Sequence, residues 1–199
     1  LHLSLRRQRQ MCIRDRNSKC DPIGIYGTLK YSGELLVKAY HQIFDLPYTI
    51  IRPSALYGER CVSRRVGQIF IENALTDKPL LLEGGGCGKL DFTYIEDLID
   101  GMIRALALHG GPTASDTFNL TYGNARSILE LANIIKEIIP DVTFECRPKA
   151  EDKPIRGTLR MDKAEDRLGF KPKWPLEKGY KRYCEWYVSE WGKVIGSNA

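Results

Sequence analysis

The 199-residue sequence lacks the features that mark several large classes of protein. No run of apolar residues approaches the roughly 18 that a membrane-spanning helix needs, so no membrane partner is expected. The six cysteines form no CxxC pair and follow no segment with the apolar middle of a signal peptide, which favours reduced thiols in a cytoplasmic protein. No cluster of His, Cys, Asp or Glu has ligand spacing, so no metal site is expected.

The basic character of the chain is confined to its first sixteen residues. Five arginines and one aspartate lie in 1–16, which leaves a net charge of +1 for the rest of a chain whose total is +5. This stretch shows neither strand alternation nor a clear helical stripe, and it resembles the translation of a sequencing adapter. We interpret 1–16 as a non-native or disordered basic leader and place the natural start near Asn17. A nucleic-acid-binding arm is the less favoured alternative, so no nucleic-acid partner is predicted.

From Asp21 onward, helical and strand patterns alternate, as is typical of βα units around a mostly parallel sheet. A capping box of Ser127 and Glu130 starts one of the helices, and the glycine run 84–86 predicts a loop. Helices are predicted over 26–44, 66–75, 95–108 and 127–138, with two short ones near Lys163 and Leu176. Strands are predicted over 48–52, 79–83, 90–93, 117–120 and 141–146.

Tyr26 and Lys30 stand four residues apart at the start of the first predicted helix, and they therefore share one face. A neighbouring ammonium favours the ionised form of a phenol, so the pair could shuttle a proton. The spacing alone is weak evidence, because an ordinary surface pair on a helix is the default interpretation. Other motifs must support a catalytic role.

Five stretches, in the expected order, resemble the extended short-chain dehydrogenase/reductases of the NAD-dependent epimerase/dehydratase type, which act on nucleotide sugars. They correspond to the motifs YGxSKxxxE, RPxNVYG, GDGxxxRDFxYVxDL, YNxG and LGxxP. In this sequence they are YGTLKYSGE (26–34), IRPSALYG (51–58), LEGGGCGKLDFTYIEDL (82–98), FNL (118–120) and LGFKP (168–172). The resemblance implies an α/β fold, a partial Rossmann-type parallel sheet with a small C-terminal α/β substrate-binding lobe.

The resemblance also implies the roles of the site residues. Tyr26 would be the catalytic acid/base, and Lys30 would hold the nicotinamide ribose and favour the phenolate. NAD, or NADP, would exchange hydride with a nucleotide-sugar substrate. Pro53 would line the nicotinamide side of the cleft, while Ser54 and Ala55 would face the substrate, at the carboxyl end of a strand where parallel sheets bind ligands.

Three arginines are candidates for binding the nucleotide diphosphate, because a guanidinium fork suits bidentate contacts with phosphate. Arg156 falls where family members place such an arginine and ranks first. Arg64 and Arg65, at the start of a helix, rank below it. An ordinary solvated arginine remains the alternative at each of these positions.

The departures from the family pattern shape the prediction for the whole protein. No GxxGxxG or GxGxxG turn precedes Tyr26, so 17–199 is interpreted as the C-terminal part of such an enzyme, with most adenosine and pyrophosphate contacts in a missing half. Ala55 stands where many members have Asn, and Leu90 where most have Arg. No third catalytic Ser or Thr is assigned, because its expected position falls in the basic leader 1–16, where Ser4 is a poor candidate.

The intact parent is expected to be an NAD-dependent epimerase, dehydratase or reductase and a homodimer, and this chain alone is expected to be inactive. The alternative is a non-catalytic module that binds a sugar nucleotide or a protein.

Other conspicuous residues are expected to have structural roles. The aspartates Asp91, Asp97 and Asp100 are expected to cap or solvate a strand-to-helix junction. The aromatic stripe of Tyr183, Trp186, Tyr187 and Trp191 is expected to be core, with a dimer contact as the alternative.

Overall fold

The computed structural model describes residues 13–14, 22, 24–61, 64–107, 115–149 and 156–196, with backbone only for 13–14 and 191–196. Its helices are α1 (Gly24–Phe44), α2 (Val66–Leu75), α3 (Ile95–Ala107), α4 (Ile128–Ile138), α5 (Asp162–Leu168) and α6 (Leu176–Gly196). Its strands are β1 (Ile13–Arg14), β2 (Thr49–Pro53), β3 (Leu56–Tyr57), β4 (Leu80–Glu83), β5 (Lys89–Leu90), β6 (Thr93–Tyr94), β7 (Asp116–Leu120), β8 (Arg126–Ser127), β9 (Phe144–Arg147) and β10 (Thr158–Leu159). In this part of the chain, none of the helices is long and apolar enough to cross a membrane.

The strands pair mainly in parallel, which confirms the predicted α/β class. The longest ladder joins β2 to β7 over five residues, from Thr49 opposite Asp116 to Pro53 opposite Leu120. Three further pairs, β1 with β10, β3 with β6 and β4 with β9, are also parallel. The pair of β5 and β8 is antiparallel. Since β2 and β7 run in parallel, their carboxyl ends meet at one edge of the sheet.

In the described residues, two hydrophobic cores hold most of these elements together, and α1 contributes to neither. The smaller core packs α3 and α5 against β7, and it consists of Leu98, Ala105, Phe118, Leu120, Met161, Ala164, Leu168 and Phe170. The larger core, which we call the C-terminal lobe core, lies between α2, α4 and α6 and strands β3, β4 and β6. Its largest fully buried side chains are Ile71, Leu80, Leu82, Tyr94, Leu131, Ile135, Tyr180 and Tyr183. Burying a large apolar side chain stabilises a fold by roughly 1.5–3 kcal/mol.

The predicted elements agree with the structure where local signals are strong. Helix α2 has the predicted bounds, and the capping box of Ser127 and Glu130 is present at the start of α4. Helix α1 begins two residues before the predicted Tyr26. The glycine run is a short 3₁₀ turn in which all three residues have positive φ. Glycine adopts such angles without the steric cost that a Cβ would impose.

Two element predictions are wrong. The helix near Leu176 is not short: α6 runs for 21 residues, because its aromatic residues pack into the C-terminal lobe core and override weak local propensity. The strand predicted over 90–93 is two strands. Lys89–Leu90 pairs with β8 and Thr93–Tyr94 pairs with β3, and buried Asp91 and Phe92 lie between them.

The aromatic stripe of α6 lies in the core, as predicted. Tyr183 is 1% exposed, and Trp186 and Tyr187 are partly buried and pack against the C-terminal lobe core. The rings of Tyr183 and Trp186 are stacked, with centroids 6.3 Å apart. The side chain of Trp191 lies outside the described residues.

Candidate active site

The predicted acid/base pair lies on the first turns of α1. The Lys30 ammonium is 5.7 Å from the centroid of the Tyr26 ring, a distance at which a cation and an aromatic face attract each other. Tyr26 is 72% exposed, and Lys30 is also exposed. The structure therefore brings the phenol and the ammonium together on a face that a ligand can reach.

Helix α1 is attached to β2 by a bidentate ion pair. The Arg52 Nε donates to one oxygen of Glu34 at 2.7 Å, and its Nη2 donates to the other at 2.5 Å. At the far end of the helix, the Nδ1 of His41 lies 2.9 Å from the carbonyl oxygen of Leu46. The His41 ring meets the Tyr48 ring edge-on, with centroids 5.4 Å apart. These contacts fix α1 beside the strand that carries the next predicted site residues.

Pro53, Ser54 and Ala55 lie at the carboxyl end of β2, as the motif predicts. Pro53 is exposed and is the last residue of the strand, and Ser54 is half-buried. Ala55 has a φ of 24°, which is rare for a residue with a Cβ. Its carbonyl oxygen accepts a hydrogen bond from the Thr93 amide at 3.3 Å. The chain thus turns sharply here and continues into β3 beside β6.

The three candidate phosphate ligands lie on other segments. Arg64 precedes α2 and forms an ion pair of 3.0 Å with Glu72, while its side chain stays 72% exposed. Arg65 is exposed at the N-terminal boundary of α2. Arg156 is exposed just before β10. All three can be reached from solvent, and Arg64 already has a carboxylate partner.

Glu72 is the centre of a polar cluster on the surface of the C-terminal lobe. Besides Arg64, it accepts hydrogen bonds from the Tyr187 hydroxyl at 2.7 Å and from the Gln68 amide at 2.9 Å. Burial raises the pKa of this carboxyl, but the hydrogen bonds from Tyr187, Gln68 and Arg64 outweigh that effect and lower it below its ordinary value. Glu72 is therefore a stable anion that holds the Arg64 guanidinium.

Asp91 is a structural centre whose importance the sequence did not reveal. It is fully buried and accepts hydrogen bonds from the Thr121 hydroxyl and the Gly123 amide, both at 3.0 Å, and from the Leu159 amide at 3.1 Å. Burial raises the pKa of its carboxyl, and these hydrogen bonds oppose that rise. Asp91 thereby ties the segment after the carboxyl end of β7 to β10, the strand that follows Arg156.

The expectation that these aspartates cap or solvate a strand-to-helix junction is wrong for Asp91 and Asp97, which are buried and accept hydrogen bonds from segments far along the chain. Asp97 is 4% exposed in the first turn of α3, where it accepts hydrogen bonds from the amides of Lys173 at 2.8 Å and Trp174 at 3.1 Å. Burying a carboxylate without hydrogen-bond partners would cost folding free energy. The backbone amides that satisfy these two aspartates come from distant segments, which the aspartates thereby hold in place. Asp100 is partly exposed and forms an ion pair of 2.7 Å with Arg104.

The buried tyrosines are unsuited to acid/base work near neutral pH. Burial raises the pKa of Tyr57, Tyr94, Tyr180 and Tyr183 well above that of an ordinary phenol. For Tyr94, a hydrogen bond to the Glu59 carboxylate adds to this rise. Tyr26 differs from these tyrosines in its surroundings, because its ring is exposed to solvent and lies beside the Lys30 ammonium.

The described residues offer neither a metal site nor a phosphate-binding turn. No cluster of three or more His, Cys, Asp or Glu residues could hold a metal ion in that part of the chain. The glycine turn 84–86 is closely packed at its two ends, since a Cβ on Gly86 would lie 2.9 Å from the Leu129 amide nitrogen and one on Gly84 would lie 3.1 Å from Lys149, whereas one on Gly85 would meet nothing within 4 Å. It leads into β5 rather than into a helix whose amides could hold a phosphate.

Comparisons with known proteins agree with the motifs. The sequence model of the "NAD dependent epimerase/dehydratase family" matches residues 8–121, which is more than half of the chain. UDP-glucuronic acid decarboxylase 2 of Arabidopsis thaliana is 34% identical over 166 residues, a match that covers 80% of this chain and 36% of that protein.

Two solved structures share the fold. UDP-glucose 4-epimerase of Thermotoga maritima, solved with UDP-glucose, superposes with a TM-score of 0.85 at 25% identity and covers 92% of this chain. A UDP-glucuronic acid 4-epimerase of Bacillus cereus, a mutant solved with a fluorinated UDP-sugar and NAD, gives a TM-score of 0.85 at 26% identity and covers 91%. The chain spans 59% and 58% of the lengths of these two proteins.

Proposed function

This chain belongs to the NAD dependent epimerase/dehydratase family, and on that premise we propose that it carries the acid/base pair and the substrate lobe of an NAD(P)-dependent enzyme acting on nucleotide sugars. The observation that carries the proposal is the exposed Tyr26 ring with the Lys30 ammonium 5.7 Å from its centroid. Relatives of the same fold are solved with UDP-sugars and with NAD. The reaction class is therefore epimerisation, dehydration or reduction of a sugar linked to a nucleoside diphosphate.

In this proposal, Tyr26 moves the proton and Lys30 holds the cofactor. The Tyr26 hydroxyl takes the proton of a sugar hydroxyl or returns it, and the nearby ammonium stabilises the phenolate that forms. The three N–H donors of Lys30 also suit the hydroxyls of the nicotinamide ribose. The bound NAD supplies hydride exchange with the sugar carbon. Pro53 lines the nicotinamide side, and Ser54 and Ala55 face the sugar.

The arginines are proposed to hold the diphosphate. Arg156 is exposed and stands beside β10, which Asp91 anchors through the Leu159 amide. Arg64 would contribute only if it exchanged its 3.0 Å contact with Glu72 for a phosphate. Arg65 sits at the start of α2, where the helix dipole also favours an anion. Arg156 is proposed as the principal contact because it stands where the family motif places such an arginine, and Arg64 and Arg65 rank below it.

The organisation of the whole protein is part of the same proposal. Residues 17–199 are proposed as the C-terminal part of a larger homodimeric, cytoplasmic enzyme, and 1–16 as a leader. The family match begins at residue 8, and Ile13–Arg14, which lies inside the proposed leader, pairs with Thr158–Leu159. Both observations count against a leader that is foreign over its whole length. Amino-terminal sequencing of the protein purified from its source would locate the natural start.

The first test is NAD binding by isothermal calorimetry to residues 17–199 and to the same segment joined to what the upstream reading frame encodes. We expect binding to the longer protein alone, because the glycine-rich turn that holds pyrophosphate is absent before Tyr26 in the printed sequence. Tight binding to the short segment would contradict the proposed division of the cofactor site. Sugar-nucleotide binding by the short segment without any turnover by the longer protein would favour the non-catalytic module.

Replacement of the phenol tests the mechanism. In the longer protein, Tyr26→Phe should lower kcat by about 10²–10⁴, the usual contribution of a positioned acid/base group, while NAD still binds. Tyr40→Phe is the matched control, since Tyr40 lies on the same helix and is 52% exposed. Equal activity of the two variants would overturn the role of Tyr26.

A further inference from the structure

Three polar residues follow one another at intervals of four on α1. Tyr26, Lys30 and Glu34 form a single stripe, because residues four apart in a helix are neighbours on one face. The first two are the proposed acid/base pair. Glu34, whose ion pair with Arg52 is described above, has no role in the proposed chemistry, although it lies one helical turn from Lys30. An unengaged carboxylate there would attract Lys30 away from the phenol.

In the structure, both oxygens of Glu34 are engaged by Arg52. The contacts of 2.7 Å and 2.5 Å join the planar guanidinium fork to the two carboxylate oxygens. The Glu34 side chain is only 17% exposed and the Arg52 side chain 22%. Water therefore screens this pair less than an ordinary surface pair. A bidentate charge-assisted contact of this kind is stronger than the single contact that Lys30 could make.

The same contact links two parts of the candidate site. Glu34 is on the helix of Tyr26 and Lys30, and Arg52 immediately precedes Pro53 at the carboxyl end of β2. The ion pair therefore sets the position of the helix relative to the strand end at which the cofactor and sugar are proposed to bind.

We propose that Arg52 and Glu34 are a positioning pair: Arg52 holds Glu34, which fixes α1 on β2 and leaves the Lys30 ammonium to the Tyr26 ring. This inference rests on the function proposed above for Tyr26 and Lys30. Loss of Arg52 alone should therefore release Glu34 to compete for Lys30. Loss of both charges should remove the competitor and return Lys30 to the phenol.

The experiment measures where Lys30 lies in the 199-residue chain, without any cofactor. Lysines are labelled with ¹³C at Cε, and Lys30→Arg identifies the signal. The readout is the upfield shift that the Tyr26 ring current causes at the Lys30 Hε protons. It is the difference between their chemical shift with Tyr26 present and their chemical shift in Tyr26→Leu. Lys38, one turn beyond Glu34, is replaced by Gln in every sample so that it does not compete for the carboxylate.

The proposal requires that Arg52→Met abolish the ring-current shift and that Arg52→Met with Glu34→Gln restore it. An unchanged ring-current shift in Arg52→Met, or its loss in both variants, would overturn the electrostatic role. The absence of a shift in the chain that keeps Arg52 and Glu34 would overturn it too. Circular dichroism checks that each variant is folded, and Arg52→Lys, which keeps the charge, should retain part of the shift. The ring-current measurement needs no NAD. If the whole protein proved inactive or failed to bind NAD, that result would therefore count against the proposed function and not against the positioning pair.

Discussion

Helices α1 and α6 have the same length, 21 residues, and opposite environments. No residue of α1 is buried, and its apolar side chains lie open, among them Ile25 at 81% and Ile43 at 72% exposure. By contrast, α6 places Tyr180 and Tyr183 in the C-terminal lobe core at 1% exposure each. Periodicity identifies an apolar face, but the neighbouring elements decide whether that face contributes to stability.

Helix α3 shows both environments at once. Leu98 and Ala105 on one side belong to the smaller core. Ile103 and Leu106 on another side are 62% and 72% exposed, and with Ile51 of β2 they line an open apolar groove of about 390 Å³. The exposed faces of α1 and α3 flank β2, so the C-terminal lobe is the well-packed region of the described residues and the surroundings of the candidate site are the open region.

Truncation of one tyrosine in each helix should give the largest difference between the two regions. Tyr180→Ala should lower the free energy of unfolding by about 3–5 kcal/mol, because it empties a fully packed site. Tyr40→Ala, at 52% exposure on α1, should change it by less than about 1 kcal/mol. Urea unfolding followed by circular dichroism measures both values. Similar losses would mean that α1 is covered by a surface beyond the described residues.

Alanine at one glycine in each helix should give effects of opposite sign. A Cβ on Gly179 of α6 would lie 2.1 Å from the Tyr57 hydroxyl, whereas one on Gly33 of α1 would meet nothing within 4 Å. Gly179→Ala should therefore destabilise by about 1–3 kcal/mol through overpacking. Gly33→Ala should stabilise by about 0.5–1 kcal/mol through higher helix propensity. Thermal unfolding of both variants provides the check, and two changes of equal sign would contradict the contrast.

The sequence predicted those features whose causes are local. The capping box lies within four residues, and Tyr26 and Lys30 are one helical turn apart, so spacing alone places each pair. The position of Pro53 at the end of β2 was also predictable from local sequence. The apolar residues before it indicate a strand, and proline has no amide N–H to donate to a neighbouring strand.

The features that the sequence did not predict depend on partners far along the chain. Asp91 is bonded to Thr121 and Leu159, which are 30 and 68 residues away. The Glu34–Arg52 pair joins residues 18 apart. The length of α6 depends on a core built from β3 and α2. No local pattern encodes such contacts, so a sequence can show which residues are present without showing which ones the fold brings together.

The smallest expected effect concerns how the helices begin. The first turn of α1 contains no acidic residue, whereas α4 begins with the reciprocal bonds of Ser127 and Glu130. The Ser127 amide, the Arg126 guanidinium and the Ser127 hydroxyl lower the pKa of Glu130 from 4.5 to about 2. Because the folded-state pKa is depressed, this stabilisation is present above about pH 4.5 and disappears as the pH falls towards 2.

Glu130→Gln should therefore lower stability at pH 7 and have a diminishing effect as the pH falls from about 4.5 towards 2. The loss should stay below about 1 kcal/mol, because the side chain is 44% exposed and solvent screens its charge. Unfolding free energies measured from pH 2 to 7 for both proteins give the difference directly. In a Ser127→Ala background, the same substitution should have a smaller effect, since one of the bonds that lowers the pKa of Glu130 is already gone. A difference that grows on acidification would show that Glu130 stabilises α4 by some means other than its ionised carboxylate.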